Sequence, residues 1–160
     1  MLRLSKRCRN TVATVTKMSI RTYSELITIP TFIERYRYLR LGGRVGEDTF
    51  GFDRYLNQLF YKSDEWKAIR DYVILRDTGH HDYCQDLGME GYDIHGRIII
   101  HHMNPITKED ILRRSDYLLN PEYLISTTDM THKAIHYGDE SLLMTDPIVR
   151  YPNDTCPWRH

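Results

Sequence analysis

The sequence predicts an α+β protein, a helical front half joined to a strand–loop–strand–helix unit. Three patterns predict it. Apolar residues recur at helical spacing between positions 31 and 76. Two short β-branched and apolar runs follow, over 97–102 and 123–127. The second run leads directly into a capped helical segment over 128–137.

In the front half, Pro30 opens a helix over 31–41 with Phe32, Tyr36 and Leu39 on one face and Glu34, Arg35 and Arg37 elsewhere, and Gly42-Gly43 ends it. A second helix is expected over 48–61, with Phe52, Tyr55, Leu56, Leu59 and Phe60 as its stripe. Ser63 caps a third, over 63–76, and Asp64 and Glu65 suit its positive end. Trp66, Ile69, Tyr72, Val73 and Leu75 are expected to form its buried face.

Residues 77–92, with Gly79, Gly88 and Gly91, read as loop. The run 97–102 reads as a strand that Asn104-Pro105 breaks. Thr107 and Asp110 form a capping-box pattern that opens a short helix to Arg114. Asn120-Pro121 is a turn, and 123–127 a short strand. Thr128 or Asp129 caps the last helix, and Gly138 stops it. The organisation expected is a basic flexible arm or spurious extension (1–18), a helical subdomain (19–76), the mixed core (77–142) and an irregular tail (143–160) holding Pro147, Pro152 and Pro157.

The chain has 160 residues, enough to bury one ordinary core, and its 41% apolar and 28% charged residues fit a soluble globular protein. No apolar run approaches the roughly 18 residues of a membrane span. Three scattered cysteines, Cys8, Cys84 and Cys156, exclude a disulfide framework and a cysteine-rich zinc site, and point to a reducing compartment. Net charge is zero but uneven. Residues 1–17 carry Arg3, Lys6, Arg7, Arg9 and Lys17 with no acid, so the rest of the chain is net acidic. That segment suits an arm pairing with phosphates, an organelle transit peptide, or an upstream start with Met18 as the true first residue.

The eight histidines carry the chemistry. His132 and His136 are four apart on the last helix, which places both imidazoles on one face, about 6 Å apart at Cβ, as two ligands of one metal require. His101-His102 ends the first strand. Neighbouring strand residues point to opposite faces, so this pair can divide two roles. The doublet His80-His81 reads as surface loop.

Taken together, His101-His102-Met103-Asn104-Pro105-Ile106, then Leu124-Ile125-Ser126-Thr127-Thr128, then His132 and His136, form one pattern. It resembles the HNH (ββα-metal, or His-Me finger) endonucleases, colicin-type DNases among them. Residues 19–158 also resemble small HNH proteins of bacteriophages and prophages, through Arg21-Thr22-Tyr23-Ser24-Glu25-Leu26, Thr49-Phe50-Gly51-Phe52-Asp53-Arg54 and Ala134-Ile135-His136-Tyr137-Gly138-Asp139-Glu140. The resemblance implies a ββα-metal core with one divalent ion (Mg, Mn, Ni or Zn) held by His101, His132 and His136. It implies His102 as the general base in hydrolysis of DNA phosphodiesters, leaving 5′-phosphate and 3′-hydroxyl ends. Around that site, Arg97 offers a contact to the scissile phosphate or a surface salt bridge, and Lys108, Arg113, Arg114 and Lys133 offer DNA-backbone contacts among interspersed acids. Arg35, Arg37, Arg40 and Arg44 form a second basic run that suits DNA or simply solvates a helix.

The implied setting is a phage-encoded protein in the bacterial cytoplasm, acting in gene mobility or genome packaging. DNA is the implied partner, with phage terminase or packaging proteins beside it. One active site per chain makes a homodimer the route to double-strand cleavage. A non-catalytic DNA-binding or virion-assembly module keeping a structural metal is the alternative. One departure supports that alternative: the motif's middle Asn is replaced by Tyr123, and Asn120 falls three residues early. Asn104 offers a polar contact or simply a turn. Cys84 has no partner for nucleophilic catalysis.

Overall fold

Two strands, β1 (Ile99–His102) and β2 (Leu124–Thr127), pair antiparallel, with His101 opposite Ile125 and His102 opposite Leu124. The structure, a computed structural model, describes residues 20–41, 54–79 and 82–143, and only the backbone of 54–57. The expected basic arm, the Gly42-Gly43 stop, the start of the 48–61 helix with Phe52, the side chains of Tyr55 and Leu56, the His80-His81 doublet, Arg44, Cys8, Cys156 and the tail beyond Leu143 lie outside what the structure describes.

Strand alternation divides the sheet into two faces. Ile125 on one face joins a core with Leu26, Tyr36, Leu39, Leu87, Met103, Ala134 and Ile135. Ile100 and Leu124 on the other face join Trp66 and Val73, with Phe60, Ile69 and Leu119 packed around them. The helices α1 (Tyr23–Leu26), α2 (Phe32–Leu39), α3 (Arg54–Lys62) and α4 (Asp64–Arg76) therefore cover both faces of the strands rather than standing apart from them. Each fully buried Leu or Ile contributes roughly 1.5–3 kcal/mol, so both cores depend on both halves of the chain.

The connection between the strands holds α5 (Lys108–Arg113), α6 (Asp116–Leu119) and a 3-10 turn at Pro121–Tyr123. The helix α7 (Asp129–Tyr137) follows β2. Short helices need their first N–H groups satisfied, and the sequence supplies the caps. Side chains of Thr22, Thr31, Ser63, Thr107 and Thr128 each accept from the backbone N–H three residues on. Such caps contribute about 1 kcal/mol each. The Thr107–Asp110 capping box is complete in both directions. Gly138 ends α7 at φ 68°, a left-handed conformation that glycine adopts without strain.

Two expectations for α4 fail. Leu75 is 74% exposed and Tyr72 54% exposed, whereas Trp66 and Val73 are buried. At about 100° per residue, Val73 lies nearly above Trp66 while Leu75 lies on the opposite side of the cylinder. Likewise, Arg35 does not solvate α2 or present itself to DNA. It is buried, and its guanidinium donates to the carbonyls of Ile27, Ile29, Leu87 and Gly88 at 2.8–3.0 Å.

A second polar link joins α4 to β2. Asp77, sealed from solvent, takes both Arg76 Nε at 2.8 Å and the Ser126 N–H at 2.9 Å. Arg76 also donates to the carbonyls of Pro121 and Leu124 and lies 3.5 Å from the centre of the Tyr23 ring.

Candidate metal centre

His101 points from β1 towards α7, where His132 and His136 share one face. The ring centres lie 5.2 Å (His101–His132), 5.0 Å (His101–His136) and 4.4 Å (His132–His136) apart. One nitrogen from each lies within 4.8 Å of the other two. The Nε2 atoms of His132 and His136 are 3.1 Å apart, close to the roughly 3.4 Å edge of a tetrahedron built on ~2.1 Å metal–nitrogen bonds. These three side chains are, among the described residues, the group able to hold a metal ion.

The electrostatics keep these rings neutral, as ligation requires. Burial, then the neighbouring His136 and His132, holds His101 well below the usual histidine range. His132 is lowered to about 4 by burial and then by His136, and burial lowers His136. The decisive atom is His101 Nε2, which is buried and has no hydrogen-bond partner. A buried polar nitrogen without a partner costs about 1–3 kcal/mol. A cation bound between the three imidazoles would remove that cost, so the residues present fit a divalent metal.

His102 occupies the other face of β1. Its imidazole lies under Trp66, and its Nε2 is 3.2 Å from the Leu118 carbonyl. A carbonyl only accepts, so Nε2 carries the hydrogen and Nδ1 keeps the lone pair. Burial outweighs that bond and lowers the group to about 4, leaving it neutral near pH 7.

The expected DNA-contacting cations divide. Arg97 and Lys133 lie near α7's first turn, where Lys133 pairs with Asp129. That pairing, with the nearby charge of Arg97, holds the Asp129 carboxyl below its usual range. Lys108 and Arg113 stand exposed on α5, and Arg113 pairs with Glu109. In the second basic run, Arg37 pairs with Glu140 at 3.0 Å.

The residues around the absent motif Asn have local tasks. Asn120 accepts from the Glu122 N–H and caps the 3-10 turn. The Tyr123 carbonyl accepts from Met103 N–H at 2.9 Å, and its ring packs on Tyr117. Asn104 bonds the Arg21 backbone in both directions, accepting at 2.9 Å and donating at 2.8 Å. Burial pushes the Cys84 thiol up, away from the thiolate a nucleophile needs.

Sequence reasoning missed Asp86, which supports α7. It accepts from the Thr128 N–H and the hydroxyls of Thr128 and Thr131. Burial outweighs these bonds and raises its carboxyl from 3.8 to about 6. The native state then holds this proton more tightly than the unfolded chain does. Its contribution to stability is full below about pH 4 and is lost as pH rises through about 6, a change of about 3 kcal/mol. In urea unfolding from pH 4 to 7, the stability of wild type relative to Asp86→Asn should fall by that amount as pH rises, since the buried histidines titrate alike in both proteins. Parallel stability curves would refute it. An Asp at 86 followed about 40 residues later by a Thr-rich cap carries no spacing rule that could have revealed the contact.

No protein-family model matches this chain, and neither the curated proteins nor the solved structures give a significant match.

Proposed function

We propose that the protein is a metal-dependent DNA endonuclease of the HNH type, using one divalent ion. The observation that carries this reading is the sealed, partnerless Nε2 of His101, whose ring lies 5.0–5.2 Å from those of His132 and His136. Two further features support it. The three imidazoles lie on a β-strand and on the helix that directly follows its antiparallel partner, the order of a ββα motif. His102 has one tautomer, set by the Leu118 carbonyl, which leaves Nδ1 as the nitrogen that would take a proton.

His101, His132 and His136 would hold the metal, which when bound supplies positive charge beside the scissile phosphate and the leaving oxygen. Arg97 and Lys133 would hold the phosphate backbone.

A second reading is favoured by one observation: His102 is only 9% exposed, enclosed by Trp66, Phe60 and Tyr61. An enclosed base suits a DNA-binding or assembly module that keeps its metal for stability.

Supercoiled-plasmid nicking in Mg²⁺, Mn²⁺, Ni²⁺, Zn²⁺ and EDTA separates the two. The nuclease reading expects nicking with at least one ion, none in EDTA, and none with His132→Ala. Metal-induced thermal stabilisation with no nicking by wild type in any ion would instead establish the structural site. At about 100 times the dissociation constant, a bound ion adds about 2.7 kcal/mol to stability.

A further inference from the structure

The apolar stripes of the helical front half read from sequence as packing alone, yet one of their side chains lies against the proposed base. The Trp66 indole stacks on the His102 imidazole, with centroids 5.1 Å apart and planes 17° apart. Phe60 and Tyr61 approach the same ring at 6.3 Å and at steeper angles, 49° and 64°. At the rim of the imidazole, Nε2 donates to the Leu118 carbonyl.

These contacts constrain different motions. The stacked indole fixes the plane of the imidazole. The hydrogen bond fixes its rotation within that plane and its tautomer. Without the flat indole face, the ring could tilt away from the carbonyl, and Nδ1 would lose its single direction. Misplacing a catalytic group by about 1 Å costs on the order of 10²-fold in rate. A residue that only filled the core with Val73, Ile100 and Leu124 would need volume, not a parallel aromatic face.

We propose that Trp66 is a positioning residue, which holds His102 in the orientation and tautomer that general-base catalysis requires. The inference rests on the nuclease reading and assigns the helical half a task in the active site.

The test compares Trp66→Leu, Trp66→Phe and Val73→Ala, all corrected for folded fraction by circular dichroism. Val73 belongs to the same core cluster and controls for loss of packing. Trp66→Leu should lower kcat for plasmid nicking by about tenfold or more, with KM and metal affinity unchanged. Trp66→Phe, which keeps a flat ring, should recover most of the loss, and Val73→Ala should nick at the wild-type rate.

Nitrogen NMR of the ring, assigned by the signal missing in His102→Ala, should show one Nε2–H tautomer in wild type. It should show a mixture in Trp66→Leu. Wild-type kcat and an unchanged tautomer in Trp66→Leu would overturn the proposal, as would an equal loss of kcat in Val73→Ala. Failure of the nuclease reading shows separately, as wild-type protein that nicks in no metal, and it takes this proposal with it.

Discussion

Alanine at position 102 is expected to slow plasmid nicking by about 10²–10⁴-fold, the usual contribution of a general base. Metal affinity should stay near wild type, because His102 faces Trp66 on the opposite side of β1 from His132 and His136. His132→Ala should do the reverse at its first step, losing the metal and with it all nicking. The two variants therefore separate proton transfer from ligation, which neighbouring histidines on one strand would otherwise confuse. Removing a buried imidazole also leaves a cavity under Trp66 and an unpaired Leu118 carbonyl. Rates must accordingly be compared at equal folded fraction. Nicking by His102→Ala at the wild-type rate would sink the assignment of the base while leaving the metal site intact.

What the sequence made legible was local. Ser63 and Thr107 cap helices where their spacing said they would, since a cap and its partner lie three residues apart, and of Thr128 and Asp129 it is Thr128 that caps α7. His132 and His136 share a face because four residues make about one helical turn. Both strands are slightly shorter than their sequence patterns predict, Ile99–His102 for 97–102 and Leu124–Thr127 for 123–127. The two-residue alternation allowed His101 and His102 to divide, but it could not say what stood on either side.

The illegible part depended on contacts across long stretches of chain. Arg35 reaches the carbonyls of Leu87 and Gly88, and Asp86 reaches Thr128 and Thr131. Charged residues read from sequence as surface, because burial of Arg or Asp becomes tolerable only with partners that spacing does not reveal. Leu75 failed for a different reason. It is apolar and ends the apolar run 72–75, yet its angular position lies opposite Trp66, so identity pointed to the wrong face where the angle pointed to the right one.

Asp77→Ala is expected to be the most destabilising single change in the fold, by about 3–5 kcal/mol. Asp77 has no exposed side-chain surface and Arg76 only 16%, so the variant leaves a largely buried guanidinium without its carboxylate. It also leaves the Ser126 N–H of β2 unpaired, on a strand where every residue is buried. Arg76 would still bond the Pro121 and Leu124 carbonyls and lie over Tyr23, so its own position should change less than its energy.

Urea unfolding should show a lower midpoint at nearly constant slope, since the surface exposed on unfolding scarcely changes. Asp77→Asn keeps an acceptor for Ser126 and should lose less. Arg76→Met combined with Asp77→Ala should cost less than the sum of the single changes, because the double variant no longer buries an unmatched charge. Additive losses, or an Asp77→Ala penalty under about 1 kcal/mol, would mean that water already reaches this pair. The end of α4 would then be held to the sheet by the Arg76 bond to the Leu124 carbonyl and by the apolar cluster of Val73, Ile100 and Leu124.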